Sequence, residues 1–151
     1  MRLTARADYA LRAAAELAAA APAQMKAAEL ARAQDIPPKF LENILLDLKK
    51  SGLVASQRGA EGGYTLARDA ADIRLADVIR AVEGPLANVR GIRPEALDYR
   101  GAATPLREVW IALRVNLRAV LEEVSLADVA GGRLPERVLD LTRSPEAWDP
   151  H

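Results

Sequence analysis

The residue types that most often carry enzyme chemistry are nearly missing from this sequence. It has no cysteine, and its single histidine is His151, the final residue. Thiolate nucleophiles, iron–sulfur ligands, zinc ligand sets and serine–histidine triads therefore lack their usual side chains. Carboxylates and lysines remain as acid–base groups, but their pattern predicts no closed catalytic pocket. We expect a protein that is not an enzyme and that binds no cofactor or metal.

Charge and composition narrow the remaining choices. The chain has 151 residues, and its 21 basic residues balance 21 acidic ones, so net charge alone predicts no nucleic-acid partner. Half of the residues are hydrophobic and only 4% are aromatic, which is typical of a mainly helical domain with a real core. No apolar run approaches the roughly 20 residues of a membrane span. We therefore expect a cytoplasmic protein without membrane contact.

Three helices are predicted in the first third of the chain. The first follows Thr4, whose hydroxyl can accept a free N–H of the first turn, and it ends before Pro22. The second fits residues 26 to 34 and ends at Asp35, a residue type that tolerates the left-handed conformation. The third begins at a Pro-Pro pair and is joined to the second by a tight turn. Its apolar stripe is Leu41, Ile44, Leu45 and Leu48.

A short β-hairpin and a fourth helix are predicted to follow. Residues 53 to 58 and 64 to 67 have the composition of short strands, and the glycine-rich segment between them has the length of a hairpin turn. Residues 75 to 82 fit one further short helix, which Gly84 and Pro85 terminate. A loop of uncertain form then runs to residue 103.

A longer helix is predicted from Thr104 and Pro105 to about Val124. A threonine cap before a proline is a strong start signal, and an apolar stripe runs along roughly 30 Å of the helix. A small domain cannot easily cover such a stripe alone, so the pattern favours a partner helix. Ser125 then caps a short final helix to Ala130. The predicted dimer-interface residues are Leu106, Val109, Trp110, Leu113, Leu117, Val120, Leu121 and Val124.

The order of these elements is that of a winged helix-turn-helix, which places a recognition helix in the major groove and a wing beside it. Four stretches also resemble the Rrf2 family of bacterial transcription regulators. They are MRLTARADYALRAAAEL at the start, PPKFLENILLDLKKSGL around the third helix, RGAEGGYTLA in the hairpin and LADVIRAVEGP in the fourth helix. The likeness continues through TPLREVW and SLADVA, so it covers most of the chain.

The resemblance implies a homodimer whose long helices pack together and which presents two heads to a palindromic operator. The family contacts DNA from the third helix and the wing. Arg58 at the wing base could enter a minor groove or clamp a phosphate, Asn43 and Glu42 could read base edges, and glycines would let the backbone approach the duplex. The DNA-contacting residues implied in this way are Lys39, Phe40, Glu42, Asn43, Lys49, Arg58, Gly59, Gly62, Gly63 and Tyr64.

The sequence departs from the family between residues 85 and 103. Sensors of this type carry three cysteines there, which this chain lacks, and Asp8, an acidic position that assists cluster ligation in some relatives, cannot hold a cluster alone. We therefore expect no iron–sulfur cluster. The replacement segment could bind an anionic effector or a docking protein, or it could be an exposed loop with solvated charges. The candidate effector residues are Arg90, Arg93, Tyr99 and Arg100, with Glu95 and Asp98 beside them.

The sequence thus predicts a mainly α fold in four segments. They are a winged helix-turn-helix at 1–84, a cysteine-free loop at 85–103, a dimerisation helix with a short final helix at 104–131, and a tail at 132–151 whose order is left open. The expected function is a sequence-specific regulator, a repressor, that binds operator DNA as a homodimer. The rival interpretation is a winged-helix module for protein–protein interaction. Residues 1–68 hold 10 basic and 7 acidic residues, which favours DNA only weakly.

Overall fold

Helices account for most of the structure, as the sequence predicts. The computed structural model describes residues 2–150, so His151 lies outside the described residues. None of the helices within these residues has the length and hydrophobicity that a membrane span requires. The elements are α1 (Ala5–Ala20), α2 (Ala27–Gln34), α3 (Pro38–Lys50), β1 (Val54–Gln57), β2 (Gly63–Leu66), α4 (Leu75–Glu83), α5 (Leu106–Leu121), α6 (Leu126–Ala130) and α7 (Glu136–Thr142).

The first helix, α1, is the centre of the N-terminal core. Its start is confirmed, because the N–H of Ala7 donates to Thr4 Oγ1 at 3.0 Å. Small side chains on its inner face allow α2, α3, α4 and α6 to pack directly against it. The buried residues of that face are Ala7, Ala10, Ala13, Ala14 and Leu17.

The helix-turn-helix pair forms where the sequence places it. Asp35 adopts φ +50°, which closes α2 and lets the N–H of Ile36 donate to the carbonyl of Ala31 at 2.9 Å. The four predicted stripe residues of α3 are all buried, and each contributes roughly 1.5–3 kcal/mol of burial free energy. This packing fixes which face of α3 remains in solvent.

A third extended segment completes the hairpin sheet. The strands β1 and β2 pair antiparallel, with Val54 opposite Leu66. Met25 and Tyr64 exchange two backbone hydrogen bonds, of 3.0 and 2.8 Å, so the connection between α1 and α2 runs along the outside of β2. The residue pattern does not predict this pairing. It holds the wing against the helix-turn-helix.

The short helix α6 returns to the N-terminal core rather than extending the long helix. The N–H of Leu75 donates to the carbonyl of Val124 at 3.0 Å, and the N–H of Leu126 donates to the carbonyl of Ile73 at 2.9 Å. Leu126 is fully buried in the same core as α1 and α3. We use "head" for α1–α4, the β-sheet and α6 together.

Two details of the predicted long helix are wrong. The helix begins at Leu106, because Thr104 has helical backbone angles and its hydroxyl donates to the carbonyl of Gly101 at 2.8 Å instead of capping a first turn. The helix ends at Leu121, and Val124 is only 2% exposed because it is packed into the head. Val124 is therefore removed from the predicted dimer interface.

The segments on either side of α5 and α6 have structure of their own. The loop after α4 is anchored by the buried residues Leu86, Pro94 and Leu97. The tail, whose order the sequence leaves open, contains α7 and a short 3-10 turn at Pro145–Trp148. Most of its side chains are exposed.

Candidate nucleic-acid interface

The solvent-facing side of α3 carries the predicted contact residues. Lys39, Phe40, Glu42, Asn43 and Lys49 are all exposed, on the face opposite the buried stripe. Phe40 remains 54% exposed although its ring meets Tyr9 edge-on, with the ring centroids 6.2 Å apart. The helix therefore presents donors, acceptors and one aromatic ring on a single surface, which is what reading base edges in a groove requires.

One acidic side chain on α3 is neutralised from within the head. Asp47 forms an ion pair with Arg6 of α1, and Arg6 Nε also donates to the carbonyl of Val82 in α4 at 3.2 Å. This contact ties α3 to two other helices. Glu42, the other acidic residue of α3, has no ion-pair partner among residues 2–150. The exposed charges of α3 are therefore one carboxylate and the lysines of the same helix.

The wing lies directly beside the C-terminal end of α3. Lys49 Nζ donates to Ser56 Oγ of β1 at 2.6 Å, which connects the helix to the strand. Arg58 follows β1, is exposed, and has no hydrogen-bond or ion-pair partner within the described part of the chain. The helix and the wing therefore form one continuous surface that ends in an unpaired guanidinium group.

Two glycines of the wing, which were predicted to let the backbone approach DNA, are required by the fold of the wing itself. A Cβ atom on Gly62 would lie 2.1 Å from the carbonyl oxygen of Gln57, and one on Gly63 would lie 2.8 Å from that of Met25. Both positions therefore need glycine for the wing to fold. Gly62 is also buried in the free protomer, and its predicted contact with DNA stays a prediction. Gly59, by contrast, is exposed in the turn that forms the wing tip.

Two further residues differ from the predicted set of DNA-contacting residues. Tyr64 is half-buried against the core, and its backbone is held by Met25, so the structure gives it a supporting position in the wing. Leu46 is exposed three residues after Asn43 on the same face of α3, and it was not among the predicted contact residues. The i, i+3 spacing on the polar face was the signal that could have identified it.

The long helix exposes much of the apolar stripe that the sequence predicts. Val109 is 52% exposed and Leu106 is exposed as well, whereas five other predicted interface residues are half-buried. A groove of about 620 Å³ lies between α5, α4 and the start of α1, with Ile79 and Leu3 among its lining. The half-buried residues are Trp110, Leu113, Leu117, Val120 and Leu121.

The candidate effector residues do not form one cluster. Tyr99 Oη accepts a hydrogen bond of 2.9 Å from Trp110 Nε1, so Tyr99 supports the long helix. Arg90 and Arg100 are exposed, and neither lines the groove beside α5 or the cavity of about 500 Å³ between α4, the following loop and α5. Arg93, in contrast, lines that cavity together with Glu95 and with arginines of α4 and α5 that were not among the predicted residues.

The helix-turn-helix, the paired wing and the exposed third helix define a winged helix-turn-helix protein. The chain belongs to the Rrf2 family, because the family model described as an iron-dependent transcriptional regulator matches residues 3–132. It is 54% identical over 142 residues to Rv1287 of Mycobacterium tuberculosis, which is provisionally assigned as an HTH-type transcriptional regulator. That match covers 93% of this chain and 88% of the relative.

Further relatives, matched by sequence and by structure, agree with this assignment. The chain is 36% identical to the HTH-type transcriptional regulator CymR of Bacillus subtilis over 67% of its own length and 68% of CymR. The structure of CymR, the global cysteine regulator of B. subtilis, matches with a TM-score of 0.73 and 31% identity, covering 87% of this chain and 98% of CymR. The structure of T. potens IscR matches with a TM-score of 0.69 and 27% identity over all of this chain and 93% of IscR.

The iron dependence in the family description does not fit the side chains of this chain. Iron–sulfur clusters are held mainly by cysteine thiolates, and the sequence has none. Within residues 2–150 no three His, Cys, Asp or Glu side chains come together as a possible metal site. The loop after α4 contributes Arg93 to an arginine-lined cavity instead, and guanidinium groups repel a metal cation.

Proposed function

We propose that this protein is a transcriptional repressor that binds a palindromic operator as a homodimer and acts without an iron–sulfur cluster and without catalysing a reaction. The observation that carries this proposal is the continuous surface formed by the exposed face of α3 and the unpaired Arg58 of the wing. The family assignment supports DNA as the partner. The neutral net charge of the chain is no obstacle, because the charges that matter are local.

The proposed recognition element is α3 in the major groove. Asn43 can pair with an adenine edge, and Glu42 can accept a hydrogen bond from the amino group of a cytosine. Lys39, near the start of the helix, and Lys49, near its end, suit the flanking phosphates. The ion pair of Asp47 with Arg6 supports this arrangement, because it removes one unpaired negative charge from the helix that approaches the phosphate backbone.

The proposed role of Arg58 is to hold the DNA backbone or the minor groove beside the recognition helix. Its side chain is exposed and unpaired among the described residues, so it loses no internal contact when it binds. The strand before it is fixed, because Gln57 accepts a hydrogen bond from Gln24. An exposed, unpaired guanidinium group at the end of a paired strand fits the task of a phosphate or groove contact.

The proposed dimer forms through α5. Exposed apolar side chains on that helix, Leu106 and Val109 among them, would be covered by the same surface of a second copy. The groove of about 620 Å³ beside α5 offers room for apolar side chains of the partner. A twofold axis would present two α3 helices in related orientations, and for that reason the proposed operator is palindromic.

The proposal is tested by selecting genomic fragments with the purified full-length protein and footprinting the bound ones. A protected site with twofold symmetry in a promoter, and raised expression of the adjacent gene when the regulator is deleted, are expected. Capture of no specific fragment would favour the rival interpretation, a winged-helix module that binds another protein.

The Arg58→Ala variant then tests the wing. We expect operator affinity to fall by about one to several powers of ten, because two copies of a contact worth roughly 1–3 kcal/mol are lost. The matched control is Arg133→Ala, which removes an exposed arginine from the segment after α6. Binding is measured over a salt series, in which loss of a phosphate contact also reduces the salt dependence. Unchanged operator affinity in a folded Arg58→Ala dimer would remove the wing from the mechanism.

A further inference from the structure

A second cavity, distinct from the α3 and wing surface, lies where α4, the following loop and α5 meet. Its volume is about 500 Å³. Arg80 comes from α4, Arg93 from the loop, and Arg114 and Arg118 from α5, so residues far apart in sequence are brought to one place. Gly84, Pro85 and Leu86 form the rest of its wall together with Glu95.

The charges around this cavity are unbalanced. Four guanidinium groups line it, and three carboxylates offset them in part. Glu95 pairs with Arg114, and Glu122 pairs with both Arg80 and Arg118. Asp77 adds a longer contact to Arg80, at 3.8 Å. The guanidinium group of Arg93 has no hydrogen-bond or ion-pair partner within residues 2–150, and only its backbone carbonyl is bonded, to the N–H of Ala96. A positive excess therefore remains at a concave site, where it attracts anions more strongly than on a flat surface.

The existing carboxylates show how an anion would be held. Glu122 Oε1 accepts from Arg118 Nε at 2.9 Å and also from Arg80, so a single oxygen lies between guanidinium groups of two helices. These contacts lower the pKa of Glu122, with the Arg80 hydrogen bond as the largest cause. The pKa of Glu95 is lowered first by its own backbone N–H and then by Arg114. The arginines are thus already oriented to stabilise negatively charged oxygens.

We propose that this cavity binds a small oxyanion with two or more negative charges, of the phosphate or carboxylate type. Arginine suits that ligand because its planar group can donate two parallel hydrogen bonds to a phosphate or a carboxylate. The Arg114 side chain is only 23% exposed, so its contact with the ligand is partly shielded from water. The ligand displaces Glu95 from Arg114 and engages Arg93, which has no partner to give up.

The position of the cavity connects it to the rest of the head. Arg80 lies two residues before Val82, whose carbonyl accepts the hydrogen bond of Arg6. Arg6 also holds Asp47 of α3. A ligand that draws α4 towards α5 therefore acts on the helix that supports α3, and this consequence, unlike the binding site itself, rests on the proposed DNA-binding function.

The site is tested by calorimetric titration of the full-length protein, in magnesium-free buffer at constant ionic strength, with pyrophosphate and with citrate as probes and sodium chloride as control. Saturable binding of one anion per chain is expected for at least one probe, and the preferred probe identifies the phosphate or the carboxylate class. Failure of both probes to saturate would overturn the proposal. No DNA is present, so the result is independent of operator binding.

Three variants assign the binding to this cavity. Arg93→Gln should weaken binding of the preferred probe by roughly tenfold or more, because an ionic hydrogen-bonding partner is lost. Glu95→Gln should strengthen it, because a competing carboxylate is removed. Arg90→Gln, in the same loop but outside the cavity, should leave the affinity unchanged. Equal losses in Arg90→Gln and Arg93→Gln, or weaker binding in Glu95→Gln, would show binding to general surface charge and contradict the proposed site.

Discussion

The head and the long helix α5 bury their apolar side chains to very different extents. In the head, the apolar stripes of α1, α3 and α4 are covered by neighbouring elements of the same chain. No residue of α5 is fully buried, and Val109 and Leu106 on its predicted stripe are exposed. One periodic pattern of apolar residues therefore has two physical meanings. An apolar stripe is buried within the protomer where neighbouring elements cover it. Where none does, it stays exposed and is available to a second chain.

The largest expected effect is on dimer formation through α5. In Leu113→Glu or Leu117→Glu, two unpaired charges would be buried in the proposed dimer, each at a cost of about 3 kcal/mol or more. The dimer dissociation constant should therefore rise by about four powers of ten. Analytical ultracentrifugation over a range of protein concentrations measures this change, and circular dichroism checks that the protomer remains folded.

The control for this experiment is on the opposite side of the same helix. Val115 is 58% exposed and lies about 200° around α5 from Leu113, so Val115→Glu should remain dimeric. A dimeric Leu113→Glu together with a monomeric Val115→Glu would place the interface on the other face. The predicted stripe of α5 would then be covered within the protomer, as the stripes of the head are.

A smaller but still substantial effect is expected inside the head. Leu126→Ala should lower the free energy of unfolding by about 2–5 kcal/mol, because it leaves a cavity in a fully buried site. The same substitution at the exposed Leu139 of α7 should change it by less than about 0.5 kcal/mol. Urea unfolding of both variants at one protein concentration measures the two free energies. Equal losses would mean that α7 is as much part of the core as α6.

The head could be predicted from the sequence because its signals are local. Thr4 and Asp35 mark helix ends through contacts with their immediate neighbours, and the α3 stripe follows from residue spacing alone. The pairing of Met25 with Tyr64 was missed because it joins segments nearly 40 residues apart through backbone atoms, which leave no trace in side-chain type. A backbone pairing of this kind is visible only once the chain is folded.

The candidate site was predictable in part for the same reason. The exposed face of α3 and the position of Arg58 follow from helix periodicity and from the family resemblance. The arginine cavity was not predicted, because Arg80, Arg114 and Arg118 lie on two helices whose contact depends on the packing of the loop between them. The start of α5 was predicted wrongly at Thr104 for a related reason. Its hydroxyl donates to a nearby carbonyl within that loop, and a sequence cannot distinguish this contact from a helix cap.

The smallest expected effect is at the joint where the chain returns from α5 to the head. Ser125 Oγ accepts a hydrogen bond from the N–H of Asp128 at 3.1 Å, while Asp128 accepts one from the N–H of Ser125 at 2.8 Å. This capping box lowers the pKa of Asp128 from its ordinary 3.8, with the backbone N–H of Ser125 as the largest cause. Asp128→Asn keeps an acceptor oxygen but loses the charge, so we expect about 0.5–1 kcal/mol lower stability at neutral pH.

The pH dependence of that difference is the sharper measurement. Because the pKa of Asp128 is lower in the folded state than in the unfolded state, the unfolded chain binds more protons between the two values, and stability there rises with pH. The contribution of the carboxylate is therefore complete above the unfolded pKa, near 3.8, and is lost as the pH falls through the folded value. The other carboxylates titrate in both proteins, so they cancel in the comparison of wild type with Asp128→Asn.

Urea unfolding of both proteins between pH 2.5 and 7 should show a constant difference in the free energy of unfolding, which shrinks only below about pH 4. A difference that is already absent at neutral pH would mean that α6 is held by Leu126 alone and that the charged cap does not contribute to the joint between the head and α5.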